Sequence, residues 1–283
     1  MKKSNWLALI LIGLSVAALV GYQFWDRNNT DNIAPEIILE EGTLEVSVHD
    51  DTTALLQGIT AKDNRDGDVT DSVIVEHVGL LNSEGDAAVR YVAIDRSGNV
   101  SKISRNVRYT DYESPRFRLT APLQFVEGSG FEVVDLMGAW DTLDGDISHR
   151  IRATALSEKA LSDAGIYDVR FQVTSSMGDT QELTLQVELY PAGIYNANLS
   201  LEEYLVYLPV GVRFDAKSYL ESFRYSTNRA DLTRGVPEAF SLEVTGSVNT
   251  GTPGVYEVKY VMDYMQGSQT YTGGSRLVVI VEE

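Results

Sequence analysis

Residues 84–94 read EGDAAVRYVAI, residues 164–174 read AGIYDVRFQVT and residues 253–263 read PGVYEVKYVMD. In each run a glycine precedes apolar residues spaced among polar ones: Val89, Tyr91, Val92 and Ile94 in the first, Tyr167, Val169, Phe171 and Val173 in the second. A period of two marks a strand with one face in a core. Each run leads into turn chemistry, Asp95-Arg96-Ser97-Gly98-Asn99, Ser175-Ser176-Met177-Gly178-Asp179 and Met265-Gln266-Gly267-Ser268, and then into a second strand-like run. Gly and Asn accept the positive φ of tight hairpin turns, so the chain carries three closing hairpins.

Upstream of the hairpins the chain repeats again. APEIILEEGTLEVSV at 34–48 corresponds to SPRFRLTAPLQFVEG at 114–128, and DNRDGDVTDSV at 63–73 corresponds to DTLDGDISHRI at 141–151. The period is roughly 80 to 90 residues, the size of a small β-sandwich. The third block matches only in its closing hairpin; where the acidic loop would lie it has Asn228, Arg229, Ala230 and Asp231. Gly273-Gly274 reads as a bend or loop near the last strand.

A proline-opened strand (Pro35, Pro115), then D-x-x-D-G-D, then G-x-Y-x-V-x-Y and a glycine-containing turn, resembles the bacterial Ig-like domains first named from a pesticidal crystal protein. The resemblance implies an all-β fold of tandem Ig-like sandwiches and no enzymatic activity. It covers 34–110 and 111–190 and, within 191–283, the hairpin. The expected organisation is a cytoplasmic tail at 1–5, a transmembrane signal anchor at 6–25, a linker at 26–33, Ig-like domains at 34–110 and 111–190, and a divergent third at 191–283.

The anchor is read from WLALILIGLSVAALVGYQFW, residues 6–25, which carries no charge and ends in aromatic residues. Lys2 and Lys3 precede it, so the expected placement is a single-pass protein with a cytoplasmic N-terminus and an extracellular C-terminal region. A cleaved signal peptide ending near Ala17 is the competing reading. The net charge of −18 argues against nucleic acid as a partner, and the absence of cysteine excludes disulfides, thiolate metal sites and a thiol nucleophile.

Asp63, Asp66, Asp68 and Asp141, Asp144, Asp146 place three carboxylates around a glycine in each loop, with Asp95 and Asn99 approaching from the neighbouring hairpin. Two readings stay open: Ca²⁺ held by hard oxygen ligands, or Asx-turn chemistry between strands. No other cofactor is implied. Nine of the fifteen tyrosines follow Pro191, and Tyr219, Phe223 and Tyr225 are expected at a partner-binding surface because no repeat position demands them. No G-x-S-x-G elbow, S-x-x-K motif or metal-type histidine spacing occurs, so catalysis is not expected. The expected function is spacing, adhesion or binding of an envelope protein or polysaccharide by a membrane-anchored stalk. The alternative is a carbohydrate-binding module formed by the tyrosine-rich terminal domain.

Overall fold

The computed structural model describes residues 3–29, 31–156 and 162–283. Met1 and Lys2 of the expected tail and Thr30 of the expected linker lie outside the described residues. The chain divides into two compact units, Met1–Tyr112 and Glu113–Glu283.

In the first unit the alternating hairpin, Asp86–Ile94 with Val100–Tyr109, forms the middle of a four-stranded sheet. Ile74–Val78 adds antiparallel to one side, and Leu44–Val46 adds parallel to the other. A second sheet, Glu36–Leu39, Ile59–Asp63 and Gly67–Asp68, covers the apolar face. The core joins both sheets: Ile37, Ile59 and Ala61 from one, Val46, Val89, Tyr91, Ala93 and Val107 from the other. The chain changes sheets between Leu39 and Leu44, where Gly42 takes a φ of 109° that a side chain would resist.

The second unit holds the same topology twice. Gly165–Thr174 pairs with Thr180–Tyr190, flanked by antiparallel Arg152–Ala155 and parallel Gln124–Val126, and is faced by Arg116–Leu119, Met137–Asp141 and Gly145–Asp146. Gly254–Gln266 pairs with Gln269–Glu282, flanked by antiparallel Phe240–Thr245 and parallel Leu205–Pro209, and is faced by Asn198–Leu201, Leu220–Tyr225 and Asn228–Asp231. The third block therefore carries the whole pattern, although its sequence matches only in the hairpin.

One hairpin position organises each sandwich. Tyr91, Phe171 and Tyr260 are each fully buried. Where the residue is tyrosine its hydroxyl donates to a carbonyl of the 3-10 turn ahead of the middle facing strand: Tyr91 to Leu55 and Tyr260 to Ala216, both at 2.8 Å. Burial pushes the Tyr260 phenol well above its ordinary pKa. Two residues before each glycine-led hairpin reaches this position, Val89, Val169 and Val258 fill the core beside it.

Two expectations are corrected here. Gly273 and Gly274 form no bend: both lie inside the strand Gln269–Glu282, paired with Met262 and Val261. A Cβ on Gly274 would meet the Tyr195 ring at 2.4 Å, and one on Gly273 would meet Phe223 at 2.8 Å. The glycines are there so that rings can lie flat on the strand.

The second correction concerns the N-terminus. Lys3–Asn29 forms one α-helix, but among the described residues no helix is long and apolar enough to cross a membrane. Gly13, Ser15, Gly21 and Gln23 interrupt its apolar residues, and the Ser15 hydroxyl turns back to donate to the Leu11 carbonyl. The expected anchor at 6–25, the membrane as a partner through it, and the single-pass placement with cytoplasmic and extracellular ends are set aside on this finding.

Tyr167 lies in the core of the second sandwich, 6% exposed, and its hydroxyl donates to the Asp163 carbonyl at 2.8 Å. Tyr167→Ala should cost about 3–5 kcal/mol in denaturant melts, by cavity formation. A cost under about 1 kcal/mol would mean that the site collapses around the smaller side chain.

Candidate functional site

Both acidic loops are built alike. The first carboxylate uses one oxygen to close the turn: Asp63 Oδ1 accepts from the backbone N–H of Arg65 and Asp66, and Asp141 Oδ1 from Leu143 and Asp144. The Asp66 and Arg65 amides hold the Asp63 carboxyl below its ordinary pKa. The middle carboxylate reaches the closing hairpin, Asp66 accepting from the Arg96 amide at 2.8 Å and Asp144 from the Ser176 amide and hydroxyl. Asp144 also receives Arg150 at 2.6 Å; burial raises its pKa, and these donors outweigh that and lower it. The last carboxylate caps a 3-10 turn, Asp68 at Thr70 and Asp146 at Ser148. The third block keeps only a carboxylate at this place, Asp231, which accepts from the Thr233 amide in an ordinary turn.

The first loop differs from the second in what converges on it. Asp63 meets Asp95, from the hairpin turn, and Asp31, from the segment read as linker. Each offers a carboxylate oxygen within 4.8 Å of the others, and the three residues are only 7%, 5% and 6% exposed. Asp31 Oδ1 accepts from the Ile33 amide, and Asp95 accepts from the amide and the side-chain nitrogen of Asn99. Asn99 Nδ2 also faces the carbonyls of Asp31 and Ile33. Oδ2 of Asp31 and Oδ2 of Asp63 are buried without a hydrogen-bond partner. Like charges at this spacing repel one another.

Among the described residues no other such group of three occurs. In the second sandwich Ser175 stands where Asp95 stands in the first, and Asp179 where Asn99 stands. Asp111, which precedes Pro115 as Asp31 precedes Pro35, turns its carboxylate to the Ser47 hydroxyl and the Val48 amide. Of the predicted ligands, then, the structure brings Asp63, Asp95 and Asn99 together. It gives Asp66, Asp68, Asp144 and Asp146 to protein donors and leaves Asp141 in a turn. Asp31 was missed, and its spacing from Pro35 was the available signal.

At the corresponding end of the third sandwich, Tyr225 occupies the strand position held by Asp63 and Asp141. Its ring packs against Tyr264, Tyr271 and Phe223, with centroids at 4.5, 5.5 and 5.8 Å. Phe223 is fully buried, so its expected surface role is corrected: the strand pleat points it inward. Tyr219 is half-buried and stacks on Phe214.

The second and third sandwiches meet through a closed joint. Tyr207 Oη accepts from the Phe117 amide at 2.9 Å, and the Arg116 guanidinium lies over the Tyr207 ring at 4.9 Å while donating to Glu282. Leu205 and Val278 of the third sandwich enter the core of the second. Beside them Arg276, 8% exposed, donates to Glu257 and Gln186, and its Nη1 sits 3.6 Å from Glu188. Glu188 also takes Lys259 at 2.9 Å and Gln124 at 2.8 Å. A cleft of about 280 Å³ flanks this joint, with Tyr190, Tyr195 and Tyr204 beside Gln124, Asn198 and Ser200. Tyr190 and Tyr195 meet edge to face at 4.8 Å.

No protein-family model matches the chain. An uncharacterized 81.3 kDa protein of Acholeplasma phage L2 is 28% identical over 122 residues, which is 43% of this chain and 15% of that protein. Among solved structures, Drosophila N-cadherin EC1-4 aligns with 89% of this chain and 67% of its own, at 12% identity and a TM-score of 0.23. Mouse cadherin-23 EC22-24 aligns with 88% and 99%, at 12% identity and 0.21. CBM51-2 with INT domains of Clostridium perfringens ZmpB, in complex with GlcNAc, aligns with 88% and 42%, at 16% identity and 0.23. At such scores the overlaps carry no inference about this chain.

Burial pushes the Glu188 carboxyl up, but Gln124, Lys259 and the charge of Arg276 outweigh it and hold the group below its ordinary value. Its contribution to stability is therefore full above the unfolded pKa of about 4.3 and is lost as pH falls through the lower folded value. Glu188→Gln should lower the melting temperature at pH 7, and the gap to wild type should shrink below about pH 4. An equal gap across that range would show that shape, not charge, holds the joint.

Proposed function

We propose that this chain is a non-catalytic spacing and binding protein, built of Ig-like domains of the pesticidal-crystal-protein type at 34–110, 111–190 and 191–283. Its work is adhesion to a protein or a matrix polysaccharide. The observation that supports this best is the joint between the second and third sandwiches. Ion pairs, a buried arginine and shared core residues make two sandwiches one compact unit, which suits a protein that must hold a binding surface at a set position. The three histidines are exposed and lie apart in the sequence, and Asp68 and Asp146 cap turns, which favours a binding role over acid–base chemistry.

A second reading, a carbohydrate-binding module, draws support from the cleft beside the joint. Flat tyrosine rings next to amide and hydroxyl side chains are the chemistry that sugar rings need. This moves the aromatic candidates from Tyr219 and Tyr225 to Tyr190, Tyr195 and Tyr204.

Probing glycan and matrix-protein arrays with the full chain, alongside a hydrolysis screen on the same glycans and on peptides, tests both readings. Saturable binding without turnover is expected, and cleavage of any substrate would overturn the non-catalytic reading. Glycan binding that falls at least about tenfold on Tyr195→Ala would select the carbohydrate reading. Binding to protein alone, unchanged by that substitution, would select adhesion.

A further inference from the structure

We propose that Asp31, Asp63 and Asp95 form a calcium site that fastens the segment entering the first sandwich to the sandwich itself. The proposal stands apart from what the protein binds elsewhere. It rests on three facts: oxygens from three carboxylates converge within 4.8 Å, all three residues are more than nine-tenths buried, and Oδ2 of both Asp31 and Asp63 lies buried without a donor. A buried carboxylate oxygen facing two others, with no hydrogen to accept, lacks the compensation that burial of charge requires.

The donor set selects the ion. Carboxylate oxygens are hard ligands, with no nitrogen or sulfur among them to favour zinc or copper. Calcium binds oxygen at about 2.3–2.6 Å, so opposite ligands stand up to about 5 Å apart, a shell that oxygens within 4.8 Å of one another fit. Magnesium demands about 2.0–2.1 Å and near-octahedral order and gives up its waters reluctantly, so carboxylates supplied by separate segments suit calcium better. Oδ1 of Asp31 and Oδ1 of Asp63 accept from backbone amides, and both oxygens of Asp95 accept from Asn99, so the set is oriented before an ion arrives.

The three ligands come from different parts of the first unit: Asp31 beyond the helix Lys3–Asn29, Asp63 at the end of Ile59–Asp63, and Asp95 at the start of the hairpin turn. An ion among them ties residues 31–33 to the end of the sandwich. Asn99 donates to the carbonyls of Asp31 and Ile33 and holds the same segment as well.

Calorimetric titration of the chelator-treated full chain with CaCl₂ and with MgCl₂, paired with thermal melts, tests the site. One saturable calcium site and a raised melting temperature are expected, with magnesium weaker. Asp31→Asn and Asp63→Asn should each weaken calcium at least about tenfold, while Asp146→Asn in the second sandwich should leave its affinity unchanged. In chelator, Asp63→Asn should melt at or above wild type, because it removes repulsion. No heat and no melting shift in wild type, or full affinity in both Asp31→Asn and Asp63→Asn, would overturn the proposal. A readout without variants is the rate of proteolysis at residues 26–33: calcium should slow it in wild type, and equal rates in calcium and chelator would count decisively against the site.

Discussion

The structure depends on the pleat of its closing hairpins. Two long antiparallel strands with apolar side chains on one face leave that face to be covered, and each block covers it in the same way. The first strand of the block crosses from the facing sheet to lie parallel beside the last, so one stretch of chain closes both layers. The buried ring at Tyr91, Phe171 or Tyr260 then sets how close the facing strands come. In two of the sandwiches its hydroxyl holds the turn that aims the middle facing strand. Acidic loops, joint and cleft all hang on these strands.

Much of this was legible because strand burial writes itself into sequence with period two, and because the pattern recurs. The third block shows where that legibility ends. Its facing strands, Asn198–Leu201 and Leu220–Tyr225, bury Leu199, Leu201, Leu220 and Phe223 as the others do, but without the proline and the DGD loop that made the earlier copies recognisable. Gly273 and Gly274 misled for a related reason. A glycine pair usually means a turn, and only the tertiary position of Tyr195 and Phe223 shows that here it makes room for rings. In the N-terminal helix, composition pointed to a bilayer span, and among the described residues no helix is long and apolar enough to be one.

The candidate site was half legible. Asp63, Asp95 and Asn99 follow from the repeat, since a loop and a hairpin turn at the same end of a sandwich must be neighbours. Asp31 did not, because a short polar stretch carries no hydrophobic signal and its burial comes entirely from tertiary contact. The same strand end carries a carboxylate in the first two sandwiches and the tyrosine ring of Tyr225 in the third. The fold thus tolerates opposite chemistries there, and among the described residues only the first sandwich adds the two partners that turn a loop aspartate into a cluster.

The Tyr207 hydroxyl at the joint has a consequence for how the chain can be cut. Arg116–Leu119 is the edge strand of its sheet, and the Phe117 amide is capped by a residue from the next sandwich. An edge strand with free amides is a template for pairing with another chain. The third sandwich therefore shields its neighbour against strand addition, and a fragment ending near residue 190 would present both that bare edge and the apolar patch vacated by Leu205 and Val278. Self-association of such a fragment would report a missing chaperoning surface and not a property of the intact protein.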